Sequence, residues 1–181
     1  MSLAVRLRLK DRNVTLHVWS VYLDWRNYGP YAACNRMVTN LTQILTAEER
    51  RVAQAKQLLK DTVFQKHLKG ADKEPVLVMG DFNTPSHLDW TPAASLLHCN
   101  WSIQWPTTKL LSNEGLKDAV RELHPDPVVE PGFTWSPGGF LLRPKTAEVY
   151  AGQQKLKPIP NHFKNDWPSD HAAVLVDFEL K

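Results

Sequence analysis

Two short words supply the groups that could do chemistry in this chain: Gly80-Asp81-Phe82-Asn83 near its middle and Ser169-Asp170-His171 near its end. Hydrolysis of a phosphate ester needs a divalent cation to neutralise the phosphoryl oxygens, a carboxylate to orient or activate water, and a donor for the charge of the pentacovalent state. Asp81 is a candidate for the carboxylate. Together the two words read as a metal-assisted phosphoesterase site with Asp81, Asn83, Asp170 and His171 as its members. Each word alone is also what ordinary structure uses, because Asp and Asn favour turns after strands and Ser-Asp is a common cap.

The flanking residues say what must hold these groups. Pro75-Val76-Leu77-Val78-Met79 has the pattern of a buried strand, so Asp81 and Asn83 are expected at its carboxyl end, on one side by the two-residue period. Ala172-Ala173-Val174-Leu175-Val176 reads as a strand that Asp170 and His171 open. Val5 to Lys10 and Val14 to Leu23 alternate on either side of a polar turn, predicting a hairpin that puts Tyr22 at a strand's carboxyl end. A long helix is expected from Thr46, with Glu49 closing a capping box, an apolar stripe of Val52, Ala55, Leu59 and Val63, and a solvated basic face holding Arg50, Arg51, Lys56, Lys60 and Lys66. A short helical segment should follow Thr84 to Trp90, and another is expected at Leu116 to Leu123. Gly132 to Lys157 offers no clean periodicity.

In this order and spacing the words resemble the endonuclease/exonuclease/phosphatase superfamily, whose domains carry a GDFN strand end midway and close on an SDH strand start. Gly115-Leu116-Lys117-Asp118-Ala119 and Gly132-Phe133-Thr134-Trp135-Ser136-Pro137 lie between the two as in the family. The resemblance spans nearly all of residues 1 to 181 as a single domain. It implies an α/β (α+β) fold, a DNase I-like four-layered α/β sandwich. It also implies roles: Asp81 orients or activates the water, Asn83 holds phosphate, and His171 donates to the phosphoryl oxygen. Tyr22 stands where relatives place a catalytic His or Tyr. Asp170, with Asp81 and Asn83, belongs to the implied metal set, and oxygen ligands favour Mg²⁺, with Mn²⁺ or Ca²⁺ as alternatives.

Two family elements have no counterpart here. Relatives begin with a strand bearing an Asn and a segment whose Glu is the principal metal ligand, and both would precede the hairpin with which this chain starts. Where relatives carry a strand whose acid orients the final His, this chain reads Gly138-Gly139-Phe140-Leu141-Leu142-Arg143-Pro144. The resemblance therefore implies a sandwich lacking its N-terminal strands and a divalent-metal-dependent phosphoesterase, for a phosphodiester or a phosphomonoester, whose activity is weakened or lost. The alternative is a non-catalytic binding or regulatory remnant of such an enzyme. An incomplete sandwich also leaves a sheet edge and apolar surface open to self-association.

Composition sets the remaining bounds. With 181 residues, 43% of them hydrophobic, the chain can bury one ordinary core. A net charge of +3 is compatible with a phosphate-ester substrate, nucleic acid included, although the basic residues are scattered. No apolar run reaches the roughly 20 residues of a membrane span, and the first residues alternate rather than form the apolar core of a signal peptide. Asn13-Val14-Thr15, Asn40-Leu41-Thr42 and Asn100-Trp101-Ser102 are glycosylation sequons, against about one expected by chance from this content of Asn, Ser and Thr. They admit secretion, which the alternating start does not direct. Cys34 and Cys99 could pair in a secreted protein, but are expected as free buried thiols.

Overall fold

The computed structural model describes residues 2–10, 13–134, 148–150, 171 and 173–175. Its contacts divide the chain into two compact units, Met1–Leu116 and Lys117–Lys181. The architecture is mixed α/β.

The first unit holds a three-stranded sheet in the order β1-β2-β3. β1 (Ser2–Leu9) and β2 (Val14–Tyr22) form the expected antiparallel hairpin, and β3 (Val76–Asp81) adds to β2 in parallel. A parallel neighbour needs a long crossover. It is supplied by α1 (Gly29–Cys34), α2 (Leu41–Lys60) and α3 (Thr62–Lys69). A 3-10 turn (Ser95–His98) and α4 (Pro106–Asn113) complete the unit.

Register and side-chain period decide which face of the sheet is covered. Trp19, Val21, Val76 and Val78 point to one face, where they meet Ala55, Leu58 and Leu59 of α2, Phe64 of α3 and Leu111 of α4. Each large side chain buried there is worth roughly 1.5–3 kcal/mol. On the opposite face Leu3, Val5, Leu7 and Leu9 of β1 remain exposed, with Met79 of β3. All eight residues of β1 are exposed, and among the described residues β1 pairs with β2 alone. A second cluster joins Ala33, Ile44, Trp90, Ile103 and Trp105.

Several expectations change on contact with the structure. α2 starts at Leu41 rather than Thr46, because Asn40 caps it by accepting from the Gln43 N–H at 3.1 Å. It also stops at Lys60: Asp61 leaves the helical conformation and caps α3 through the N–H groups of Val63 and Phe64. Val63, expected in the apolar stripe of α2, therefore lies beyond it in α3 and is exposed. Arg51, expected on the solvated basic face, is fully buried. Cys34 and Cys99 are bonded to each other, both exposed, with their Cα atoms 5.3 Å apart, and are not free buried thiols.

The second unit contains α5 (Ala119–Leu123), shorter than expected, and a two-stranded antiparallel sheet of β4 (Glu148–Tyr150) and β5 (Ala173–Leu175). Asp118 caps α5 through the N–H groups of Val120 and Arg121. No helix among the described residues is long and apolar enough to cross a membrane.

Candidate functional site

Parallel pairing of β2 with β3 sets Tyr22 directly beside Asp81 at the carboxyl ends of both strands. Paired residues share a sheet face, so the phenol and the carboxylate stand on the same side, at the end of the face that carries the exposed leucines. The Leu23 N–H donates to the Asp81 carbonyl at 2.9 Å and extends the pairing by one bond. Gly80 makes this approach feasible: it adopts φ +132°, and a Cβ there would lie 2.0 Å from the Val21 carbonyl oxygen. A side chain at Gly80 would force the strands apart just before Asp81.

Asp81 and Asn83 are related by a turn rather than by strand alternation. The strand ends at Asp81, Asn83 takes a left-handed conformation with φ 48°, and its N–H donates to Asp81 Oδ1 at 2.9 Å. This side-chain turn is what Asp does best after a strand. The Asn83 amide then donates to the Leu23 carbonyl at 3.0 Å, tying the turn to the end of β2. Phe82, between them, packs into the core beneath.

Below the turn lies a brace that sequence reasoning missed. Glu48 and Arg51 of α2 have fully buried side chains and pair at 2.5 Å. Arg51 donates to the carbonyls of Asp24 at 2.9 Å, Arg26 at 2.7 Å and Asn27 at 3.1 Å, the loop that leaves β2. Glu48 accepts from Thr84 Oγ1 at 2.9 Å, one residue after Asn83, and from Thr107 Oγ1 of α4 at 3.1 Å. One ion pair thus fixes both loops that carry the candidate residues. Buried charges survive only with such complete partnering.

Tyr28 is a second missed member. Burial first, and then the negative charge of Asp81, push its phenol up to about 12. Next to it Gly29 opens α1 against the Trp105 ring, where a Cβ would lie 2.5 Å from ring carbons. The nearby Asp24 carboxylate is held down at about 2 by its hydrogen bond to the Arg26 side chain.

His171 belongs to the second unit, half-buried and bridged next to β5. Asp170 lies outside the described residues, as do Gly138 to Pro144. Among the described residues no three His, Cys, Asp or Glu side chains come together in a way that could hold a metal ion. Three further histidines are buried: His17, His87 and His98. His17 Nε2 lies 2.6 Å from Glu74 Oε2, His87 Nδ1 lies 3.2 Å from Thr108 Oγ1, and His98 stacks on Trp90 at 4.4 Å.

Comparison with known proteins adds one relative. The chain is 37% identical over 187 residues to an uncharacterized protein of Caenorhabditis elegans, a match covering 90% of this chain and 60% of that protein. The chain thus spans about 60% of the length of the curated relative it matches. No family model matches the chain, and neither does any solved structure.

Proposed function

We propose that this chain is a divalent-metal-dependent phosphoesterase of the endonuclease/exonuclease/phosphatase superfamily, hydrolysing a phosphodiester or phosphomonoester on a DNase I-like four-layered α/β sandwich. The observation that carries the reading is the pairing of Tyr22 with Asp81 at the carboxyl ends of parallel strands, with Asn83 anchored in the next turn. Crevices at such strand ends are where open α/β sheets gather their ligands.

The donor chemistry suits a hard cation. Asp81 offers a carboxylate, and Asn83, with its amide nitrogen directed at Leu23, retains a carbonyl oxygen. Both are oxygen ligands of the kind Mg²⁺, Mn²⁺ and Ca²⁺ take, and Asp170 would complete the set. The cation, when bound, would neutralise charge on the phosphoryl oxygens. Asp81 would orient the attacking water and accept its proton, Tyr22 and Asn83 would hold the phosphate, and His171 would donate a proton to a phosphoryl oxygen. Nucleic acid is one substrate that a chain of net charge +3 admits.

Hydrolysis of bis(4-nitrophenyl) phosphate in millimolar Mg²⁺ tests the reading. Asp81→Ala and His171→Ala should each lower the rate about 10²-fold or more. Equal rates in all three proteins, unaffected by a chelator, would reject it.

A second reading is favoured by the exposed apolar row Leu3, Val5, Leu7 and Leu9. Exposed rows of this kind mark binding surfaces or self-association, which fits a non-catalytic binding or regulatory form. Specific uptake of Mg²⁺ seen by calorimetry in the wild-type chain and lost in Asp81→Ala would sink it.

A further inference from the structure

Two features stand outside the phosphoesterase reading: the three sequons and the disulfide. Asn13, Asn40 and Asn100 are all exposed, and each sits where the backbone changes course. Asn13 is in the hairpin turn with φ 49°, Asn40 is the N-cap of α2, and Asn100 follows the 3-10 turn with φ 66°. The bonds these side chains make use the carboxamide oxygen. Oδ1 of Asn13 accepts from Arg8 at 2.8 Å, and Oδ1 of Asn40 accepts from the Gln43 N–H. In both, Nδ2, the atom that carries a glycan, stays outside the bond.

The second observation is independent of the first. Cys34 and Cys99 are joined although both residues are exposed. Exposed disulfides of this kind persist in oxidising compartments and are reduced elsewhere. Oligosaccharide transfer to sequons takes place in the same oxidising lumen, and Asn100 is the immediate neighbour of Cys99.

We propose that the protein is an N-linked glycoprotein, with Asn13, Asn40 and Asn100 as acceptors. The donor is a polyprenyl-diphosphate-linked oligosaccharide. The bond formed joins Asn Nδ2 to C1 of an N-acetylglucosamine, the bond broken is C1–O to the diphosphate, polyprenyl diphosphate leaves, and the amide proton passes to a base on the transferase. At Asn40 the product keeps the helix cap, since Oδ1 remains an acceptor and Thr42 is also exposed.

The test takes the full chain from the cells that make it, releases glycans with peptide N-glycosidase F in H₂¹⁸O, and maps ¹⁸O-aspartate by peptide mass. Label at positions 13, 40 and 100 is expected, together with resistance of Cys34 and Cys99 to alkylation until a reductant is added. Thr42→Ala removes the Asn40 acceptor without touching the cap and should abolish one mobility step, so a loss there cannot be blamed on folding. Recovery of Asn40 as unmodified asparagine, or alkylation of both cysteines without reductant, would overturn the proposal.

Discussion

The two ends of the β2–β3 pair are both finished with charged side chains, and they are finished differently. At the carboxyl end, beside Tyr22 and Asp81, Glu48 and Arg51 are fully buried, and among the described residues their bonds go to backbone carbonyls, hydroxyls and each other. At the amino end, His17 stacks on His67 with ring centroids 3.5 Å apart, Trp19 Nε1 donates to His67 Nδ1 at 3.1 Å, and the half-open Glu74 links His17 to the exposed Arg6. One end is held by a carboxylate–guanidinium pair with fully buried side chains, the other by imidazoles beside a half-open carboxylate.

The largest effect expected from this contrast follows removal of one buried charge. Arg51→Met leaves Glu48 buried and releases three loop carbonyls, which should cost about 3–5 kcal/mol. Urea unfolding of wild type and variant reads the difference directly. A loss under about 1 kcal/mol, the range of exposed ion pairs, would mean that the two ends are not held differently after all. Arg6→Met at the other end provides that reference value.

A smaller effect is expected in alkali at the carboxyl end. The Tyr28 phenol titrates at about 12 in the folded chain and near 10.0 when unfolded, so between these values the unfolded chain has lost a proton that the folded one retains. Stability is complete below pH 10 and declines as pH rises toward 12, by about 3 kcal/mol for a shift of this size. Absorbance titration at 295 nm of wild type against Tyr28→Phe isolates the late-titrating phenol. Loss of no late component in the variant would remove Tyr28 from the buried set.

The smallest effect belongs to the amino end in acid. Burial, and then the neighbouring His17, lower the His67 pKa below 6.5, while the bond from His17 lowers that of Glu74 below 4.5. For both groups the unfolded chain binds protons more readily, so stability is present above those ordinary values and falls as pH drops through 6.5 and then 4.5. Amide protection factors in β1 and the start of β2, which correct for the slower intrinsic exchange in acid, should fall on going from pH 7 to pH 5. An equal fall in protection around Asp81 would erase the distinction between the ends.

What could be read from residues alone follows the range of the interaction. The hairpin, the strand before Asp81 and the position of Tyr22 were legible because alternation and turn residues are local signals. The start of α2 was misplaced because Asn40 with Gln43 and Thr46 with Glu49 both have capping spacing, and the packing of Ile44 against Trp105 selects the first. The brace was hidden by its own chemistry: an Arg three residues after a Glu on a helix reads as a surface pair. Only the arrival of Thr84 and Thr107, far along the chain, makes that pair an interior one. The joining of Cys34 to Cys99, with a sequence separation of 65, is equally non-local.

That covalent link has a consequence for how the strand ends find each other. It is anchored at the end of α1 and just after the 3-10 turn, so the ring it closes contains α2, α3 and β3. The contour that an uncoiled chain must search to bring Tyr22 to Asp81 is then roughly halved, because it can be traced through the sulfurs. A crosslink spanning such a ring is worth about 4 kcal/mol of denatured-state entropy, and much of the entropy it removes belongs to the conformations in which the two halves of the candidate site are farthest apart.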